Sequence, residues 1–213
     1  MNLHKHRLCA LAVGVALAVP GLAGAATDEI GNGSFEEVPF SLGGNSYCYT
    51  AFAPACAGAL PSWSGNFVLM QSTSSPWGAT PNTPADQYHV GLQGEGSYVE
   101  QQVSFTAPGL YRLSWFDAGR SNASGDQAYT ASIAGTVFSG FTTTGQAWGR
   151  QSFLFSVGTT GLETLRFEGY SAGDNTSFID NISLITAVPE PSTWAMAIVG
   201  LAASAAMARR RKT

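Results

Sequence analysis

The central part of this chain, residues 27–187, offers few side chains that could perform catalysis. Its single histidine is His89, so a histidine-rich zinc site is excluded. The nucleophile-elbow pattern G-x-S-x-G and the zinc-binding pattern H-E-x-x-H are both missing. Carboxylates are numerous enough that a chance pair resembling a glycoside hydrolase centre is expected and carries little weight. The sequence therefore predicts a protein that is not an enzyme, with a glycoside hydrolase as the less favoured alternative.

A polar loop around Trp77 is the best candidate for a binding surface. Residues 72–87 are rich in Ser, Thr, Pro and Gly, so no core strand should contain them and we expect Trp77 to be exposed. A flat indole ring can pack against the C–H face of a sugar. Asn82, Asp86 and Gln87 follow in the same loop and could hydrogen-bond hydroxyl groups. The alternative is that Trp77 covers one end of the domain.

The first 26 residues have the pattern of a secretory signal peptide. Residues 4–7 are basic or histidine, residues 8–19 are apolar, and small residues follow Pro20. The sequence Ala23-Gly24-Ala25 fits a cleavage site, which places the mature start near residue 26 or 27. Residues 27–187 are therefore expected to be an exported domain.

Export changes the meaning of the cysteines. Cys9 would leave with the signal peptide, and Cys48 and Cys56 would remain as a pair in an oxidising compartment. A disulfide between them would close a small loop and contribute roughly 2–3 kcal/mol if unstrained. A metal or redox pair is disfavoured, because neither nearby histidines nor the two-residue spacing is present. We therefore predict a structural disulfide.

The charge of residues 27–187 separates them from both ends of the chain. They contain four arginines, no lysine and thirteen carboxylates, for a formal charge of −9. Such a surface should repel nucleic acid and anionic membranes. The charge therefore argues against a nucleic-acid partner and suits contact with neutral sugars or cations.

Short alternating segments separated by turn residues run through the same region, without a long amphipathic helical pattern. The clearest pair is 97–105 and 110–117, joined by Pro108-Gly109, which predicts a β-hairpin. Seven more strands are predicted at 34–39, 63–71, 128–133, 137–141, 151–157, 162–168 and 177–186. Together they predict an all-β fold, a single antiparallel β-sandwich, with Trp63 and Trp115 in its core.

The last segment, residues 188–213, has three parts in a fixed order. An apolar segment of fifteen residues, 194–208, lies between a Pro-Glu-Pro sequence and a basic cluster. The residues of these two short sequences are Pro189, Glu190 and Pro191, and Arg209, Arg210, Arg211 and Lys212. The apolar segment is shorter than the ~20 residues of a comfortable bilayer span, and its flanking cations should stay cytoplasmic. This arrangement resembles the PEP-CTERM sorting signal of Gram-negative bacteria. The resemblance implies an inner-membrane-anchored intermediate, and processing by an exosortase in bacteria that make extracellular polysaccharide.

The order of landmarks in the central domain is similar to that of galactose-binding-like jelly rolls, including many carbohydrate-binding modules. Those landmarks are Asn32-Gly33-Ser34-Phe35-Glu36, the segment 108–113, and the closing Ile179-Asp180-Asn181-Ile182. In that family the opening and closing strands meet, often around a structural Ca²⁺ ion, and Glu36 and Asp180 match the acidic positions.

Alternation along the closing strand independently places Asp180 with Phe178, Ile182 and Leu184 on an inward face. A carboxylate there must be paired, hydrogen-bonded or metal-bound. Two interpretations stay open. Asp180 binds calcium, or it forms an ion pair with an arginine such as Arg112 or caps backbone amides.

These observations together predict an exported surface or matrix protein associated with extracellular polysaccharide, flanked by a signal helix and a C-terminal hydrophobic helix. The alternative is a structural or adhesion protein of the matrix that recognises no particular sugar.

Overall fold

The computed structural model describes residues 27–40, 42, 46–50, 60–72, 76–77, 87–122, 125–187 and 200. Within these residues the regular structure consists of β-strands. In chain order they are β1 Tyr47–Tyr49, β2 Ser64–Asn66, β3 Val68–Gln71, β4 Tyr88–Gln93, β5 Tyr98–Phe105, β6 Gly109–Gly119, β7 Gln127–Ile133, β8 Thr136–Thr142, β9 Gly149–Val157, β10 Gly161–Gly169 and β11 Thr176–Thr186.

The strands form two antiparallel sheets. The six-stranded sheet has the order β1-β3-β4-β11-β6-β9, and the five-stranded sheet has the order β2-β5-β10-β7-β8. The predicted all-β sandwich is therefore confirmed. The predicted signal helix lies outside the described residues, and of the predicted C-terminal helix only Gly200 is described, in a helical conformation. In the part of the chain that is described, no helix has the length and apolar character needed to cross a bilayer.

Alternation along the strands builds the core between the two sheets. Val99, Val103 and Phe105 of β5 point inward from one sheet, and Leu113 and Trp115 of β6 point inward from the other. Both predicted core tryptophans, Trp63 and Trp115, are buried. Burial of these alternate apolar side chains is the main force that holds the two sheets together.

The predicted hairpin of residues 97–117 is wrong, although both of its strands exist. β5 pairs with β2 and β10 in one sheet, and β6 pairs with β9 and β11 in the other. The chain crosses between the sheets at residues 106–108. The Tyr111 hydroxyl donates to the carbonyl of Ala107 at 2.7 Å, and the rings of Phe105 and Tyr111 meet at 4.8 Å. The two apolar faces therefore pack on each other across the core.

The predicted strand at 63–71 is two strands in different sheets, β2 and β3. The break is at Phe67, whose N–H and C=O both bond to Thr50, so this backbone is satisfied outside the ladders. Gly65, with φ of 140°, passes so close to Tyr98 that a Cβ there would lie 2.2 Å from the Tyr98 carbonyl oxygen. This close approach requires glycine.

The predicted strand at 34–39 is an irregular segment. Phe35 has a φ of 58° and its N–H bonds to the Asn32 carbonyl at 3.1 Å, which closes a local turn. Two strands that sequence alternation did not predict are β1 and β4. β4 escaped prediction because it is buried on both faces, so its polar and apolar residues do not alternate.

A β-bulge in β11 changes the face on which Asp180 lies. Asp180 pairs with Phe116, but Ser183 pairs with Ser114, so β11 has one extra residue, and Asn181 adopts a φ of 52°. Ile179 and Ile182 both face the core between the sheets. Asp180 therefore points to the outer face of the six-stranded sheet, away from Ile182. The predicted inward position of Asp180 is wrong because a bulge interrupts the two-residue period.

Candidate functional site

An aromatic cluster covers the outer face of the six-stranded sheet near β1. Tyr47 and Tyr49 lie on the same side of β1, and their ring centroids are 4.7 Å and 5.8 Å from the ring centroid of Trp77. Trp77 is only 2% exposed. The predicted exposed sugar platform at Trp77 is therefore wrong, because the ring is packed against neighbouring apolar side chains. Trp77 covers the sheet and supports Tyr49.

Arg120 connects this cluster to two loops. Its guanidinium lies 5.7 Å from the centroid of Trp77 and forms an ion pair with Asp174 at 2.9 Å. It also donates to the carbonyl of Pro76 at 3.3 Å and to the side chain of Asn122 at 2.7 Å. Arg120 is buried, and its several hydrogen bonds hold the guanidinium in one orientation, which in turn orients the Asp174 carboxylate.

The loop that carries Asp174 is held from the other side by Gln127. The Gln127 amide is buried, with its oxygen accepting from the Ser171 N–H at 2.8 Å and its nitrogen donating to the Leu92 carbonyl at 3.0 Å. A backbone bond from Gly94 to the Asn175 carbonyl at 2.8 Å ties the loop to the end of β4. The position of Asp174 is thus set by buried polar contacts before any ligand binds.

A pocket of about 320 Å³ opens beside these residues. It is lined by Tyr49, Asn66, Phe67, Val68, Gln93, Ser97, Gly173 and Asp174. The Gln93 amide donates to one oxygen of Asp174, and the other oxygen is held by Arg120. The side chain of Asp174 is 58% exposed, so the carboxylate is oriented by the protein and still open to solvent.

Tyr49 forms the aromatic wall of the pocket. Partial burial raises the pKa of its hydroxyl, and a hydrogen bond with Gln93 opposes this effect more weakly. The hydroxyl is therefore protonated at neutral pH and belongs to the same polar chain as Gln93 and Asp174. One aromatic ring, one amide and one oriented carboxylate suit a neutral polyhydroxylated ligand.

A second, wider concavity lies beside β2 and β5. It has a volume of about 760 Å³ and includes Trp63, Glu100 and Gln102 in its lining. Trp63 is 4% exposed, so it offers little ring surface to a ligand. Gln101 is occupied by hydrogen bonds to the N–H and C=O of Gly31. The pocket at Tyr49 is the better candidate because its aromatic and polar groups converge.

The two predicted calcium ligands occupy different environments. One oxygen of Glu36 accepts from the backbone N–H groups of Gln87 and Tyr88, each at 2.8 Å. Asp180 is fully buried and accepts from the Asn181 N–H at 2.6 Å. The opening and closing segments do meet, since the Ile182 N–H bonds to the Gly33 carbonyl at 2.9 Å. Among the described residues, no group of three or more His, Cys, Asp or Glu side chains is placed to hold a metal ion.

A buried polar network around Asp117 lies inside the sandwich. The Trp115 indole donates to the Tyr129 hydroxyl at 2.8 Å, and that hydroxyl donates to Asp117 at 2.6 Å. The amide of Gln151 donates to the same carboxylate at 3.2 Å. Burial raises the pKa of Asp117, and these donors partly offset the rise. Asp117 is fully buried and its hydrogen-bond donors are side chains of the sandwich itself, so the network is structural.

His89, which sequence reasoning placed at a loop or strand edge, is fully buried in β4. Its ring contacts the edges of Trp148 at 5.6 Å and Phe178 at 5.0 Å. Neither ring nitrogen has a hydrogen-bond partner among the described residues. Burial lowers the pKa of His89 to about 3, so the imidazole is neutral at neutral pH.

Several predicted residues fall outside the described residues. These are Asn82, Asp86, Cys56 and the sorting-signal residues. Cys48 is buried in β1, and its bridge to Cys56 stays a prediction. Gln87 is exposed next to β4.

The residues that sequence reasoning missed, Tyr49, Gln93, Arg120 and Asp174, come from four separate segments. One signal could have drawn attention to Arg120: arginines are rare in this acidic domain, and this one directly follows a strand.

Several solved structures resemble this chain at low sequence identity. The chain resembles the carbohydrate-binding module TmCBM61 in complex with β-1,4-galactotriose at 18% identity and a TM-score of 0.46, covering 75% of this chain and 99% of that one. It also resembles a family 35 carbohydrate binding module from Clostridium thermocellum, at 16% identity and a TM-score of 0.41, covering 66% of this chain and 98% of that one. A third similar structure is a Stig cyclase, Fisc, from Fischerella, at 13% identity and a TM-score of 0.49, covering 76% of this chain and 98% of that one. The fold class of the domain is shown by its two antiparallel sheets.

Sequence comparison bears on the other end of the chain. No curated protein matches the chain in sequence. Residues 187–212 match the model of the PEP-CTERM protein-sorting motif. This range contains the Pro-Glu-Pro sequence, the apolar segment and the arginines predicted to act as a signal. The chain thus carries a PEP-CTERM protein-sorting motif directly after its β-sandwich.

Proposed function

We propose that this protein is an exported, exosortase-sorted polysaccharide-binding protein and that the pocket at Tyr49 holds a sugar unit. The observation that carries the proposal is the oriented carboxylate of Asp174, held by Gln93 and Arg120 beside an aromatic wall. Sugars combine apolar C–H faces with hydroxyl groups, so they need an aromatic surface and a few fixed hydrogen-bonding groups. The pocket supplies both.

Binding, without catalysis, is the activity that we propose. Both oxygens of Asp174 are held, one by the Arg120 guanidinium and one by the Gln93 amide, which suits a fixed hydrogen-bond acceptor. The buried carboxylate Asp117 is enclosed in the core network and does not line the pocket. A glycoside hydrolase needs two accessible carboxyl groups on either side of a bond, and among the described residues the pocket lining includes one, Asp174.

The proposal is tested by binding measurements on the exported protein. Neutral oligosaccharides prepared from the producing organism's own extracellular polysaccharide are titrated by calorimetry. We expect Tyr49→Ala and Asp174→Asn to weaken binding by about tenfold or more, because each removes an oriented contact. Tyr170→Ala is the matched control, because Tyr170 is 50% exposed and lies outside the pocket lining.

Two outcomes would contradict this assignment. Equal binding by wild type and both pocket variants would move the sugar site elsewhere. Failure of any oligosaccharide to bind the wild type would favour the alternative, a structural or adhesion protein of the matrix without a specific sugar.

The sorting motif supports a proposed route for the protein. We expect an inner-membrane-anchored intermediate, processing by an exosortase, and delivery to the cell surface or extracellular matrix. Mass spectrometry of the released protein should then detect no peptide from residues 194–213. Stable full-length protein in the inner membrane of a host with its own exosortase would count against this route.

A structural Ca²⁺ ion involving Glu36 and Asp180 also stays a proposal. The burial of Asp180 and the contact between the opening and closing segments support it. The amide bonds to Glu36 weigh against it, because one carboxylate oxygen is already used. Ca²⁺ takes six to eight oxygen ligands, so most of the shell would have to come from backbone carbonyls and water.

Chelation tests the calcium proposal. Calcium at one hundred times Kd would add about 2.7 kcal/mol of stability, which shifts Tm by roughly 5–10 °C for a domain of this size. Chelator should therefore lower Tm, and Asp180→Ala should abolish the response. Identical melting curves with calcium and with chelator would remove the metal and leave Asp180 as a buried hydrogen-bond acceptor.

A further inference from the structure

The outer face of the six-stranded sheet carries a second surface, formed by β6 and β9 away from the pocket. We call it the arginine strip and define it by Leu110, Arg112, Phe116, Arg150 and Leu154. The register pairs Arg112 with Leu154 and Phe116 with Arg150. Paired residues of antiparallel strands point to the same face, and Arg112 and Phe116 share it because they are four residues apart.

The two arginines of the strip differ from the other two arginines of the domain. Arg120 is paired with Asp174, and Arg166 is paired with Glu100 and Glu168. Arg112 and Arg150 are exposed and form no ion pair with any of the described residues. Arg150 makes one hydrogen bond, to the Ser114 hydroxyl at 3.4 Å. Within the described part of the chain, the strip therefore presents two positive charges that no ion pair neutralises.

The carboxylates nearest the strip are buried or already hydrogen-bonded. β9 contains no acidic residue, and the single acid of β6, Asp117, points into the core. Asp180 lies opposite Phe116 on the same outer face but is fully buried. Asp28, which bridges Ile185 beside Arg112, accepts hydrogen bonds from the N–H groups of Ile30 and Leu184. In a region with a formal charge of −9, this is a local reversal of sign. Apolar surface accompanies the charge, since Leu110 is 42% exposed and Leu154 is 53% exposed. A ligand of the strip should thus combine negative charge with apolar C–H surface.

We propose that the arginine strip binds a carboxylated polysaccharide, a chain that contains uronate units. This inference rests on the proposed polysaccharide-binding function and assigns it an acidic ligand at a second surface. A guanidinium group binds a carboxylate with two parallel hydrogen bonds. The C–H faces of the sugar rings pack on Leu154 and Phe116.

The spacing of the two arginines selects a polymer over a single sugar. Four residues of β-strand separate them along the sheet, which is roughly 13 Å. One sugar ring cannot reach both, and two carboxylates of one chain can. A thin chain also contacts the strip alone, whereas a planar anionic membrane would face the rest of the acidic surface and be repelled.

The test uses the exported protein and immobilised polygalacturonate, with chelator present so that calcium does not bridge the polymer. We expect wild type to bind and binding to weaken with added NaCl. Arg112→Gln and Arg150→Gln should each weaken binding several-fold, and the double variant about tenfold or more. Arg166→Gln is the matched control, because it removes the same charge from the opposite sheet and should leave binding unchanged.

Four results with polygalacturonate would each overturn the proposal. They are no wild-type binding to polygalacturonate, equal binding by the double variant, equal loss in Arg166→Gln, and competition by galacturonic acid monomer at the same uronate concentration as the polymer. Binding to vesicles of anionic phospholipid without binding to polygalacturonate would also overturn it and assign the strip to membranes.

The two proposals fail separately. Neutral oligosaccharide binding should survive Arg112→Gln with Arg150→Gln and be lost in Asp174→Asn. Wild type that binds polygalacturonate but no neutral oligosaccharide refutes the pocket proposal, and wild type that binds neutral oligosaccharides but no polygalacturonate refutes the strip proposal.

Discussion

His89 and Asp117 are both fully buried in the six-stranded sheet, but they face opposite sides of it. Asp117 points into the core between the sheets, where Tyr129 and Gln151 donate hydrogen bonds to it. His89 points to the outer face, where aromatic rings surround it and neither nitrogen has a hydrogen-bond partner among the described residues. The core face thus buries a polar group together with its donors, whereas the outer face buries one without them.

This contrast has an energetic meaning. A buried polar group without partners costs free energy, and the cost rises sharply if the group becomes charged. His89 remains neutral because its pKa is lowered to about 3. The donors around Asp117 offset part of the cost of burying a carboxylate. The outer face should therefore be the acid-sensitive side of the sheet.

The largest expected effect is acid destabilisation through His89. The pKa of His89 is about 3 in the folded protein and about 6.5 for an ordinary histidine in an unfolded chain. Between these two values the unfolded chain therefore binds one proton more than the folded protein. The free energy of unfolding should fall as pH drops below 6.5, by up to about 1.4 kcal/mol per pH unit. Urea unfolding of the exported protein from pH 7.5 to pH 4.5 measures this loss, and His89→Phe should remove most of it.

Comparing wild type with His89→Phe and His89→Leu separates this effect from the titration of carboxylates. Equal pH profiles in wild type and both variants would contradict the prediction. They would mean that Asp180, on the same face, holds a protonated His89.

The next effect concerns the cover of the outer face. β1 carries Tyr47 and Tyr49 over this face and contains Cys48. If Cys48 and Cys56 are bridged, reduction should lower the free energy of unfolding by roughly 2–3 kcal/mol. Thiol titration of denatured protein from the periplasm checks the bridge, and two free thiols there would remove it.

A smaller effect is expected from the partners of Asp117. Tyr129→Phe deletes the hydroxyl that donates to Asp117 and accepts from Trp115. The loss of these bonds in the core should cost about 1–3 kcal/mol in the free energy of unfolding. Urea denaturation measures it, with Tyr170→Phe as the control, because the Tyr170 ring is half exposed. An unchanged midpoint would mean that the network adds nothing to stability.

The smallest effect is the pH signature of Asp117 itself, which should have the opposite sign to that of His89. Its folded pKa is raised by burial, so the folded state binds the extra proton. Its contribution to stability should therefore be largest at low pH and be lost as pH rises from about 3.9 through the raised pKa. The stability difference between wild type and Asp117→Asn, measured from pH 3 to pH 7, should shrink in that direction. A difference that grows with pH would show that the hydrogen bonds outweigh burial.

The strands and the class of the fold could be predicted from the sequence because they depend on local alternation. The strands at 128–133, 137–141, 151–157 and 162–168 lie within β7, β8, β9 and β10. A strand such as β4 could not be found this way, because a buried outer face removes the alternation. Little of the candidate site was predicted, since Tyr49, Gln93, Arg120 and Asp174 are brought together only by sheet order and loop packing.

Composition and local residue order were sufficient to predict the sorting motif, the acidic charge of residues 27–187 and the β-sandwich class. Each depends on composition or on the order of neighbouring residues. The tertiary structure alone decided which strands pair. Residues 97–117 have the pattern of a hairpin, yet β5 and β6 lie in different sheets because their apolar faces are buried against each other. It also decided the face of Asp180 through one extra residue in β11, and the burial of Trp77 through contact with Tyr47 and Tyr49. These outcomes depend on contacts between residues far apart in sequence, and local patterns do not encode them.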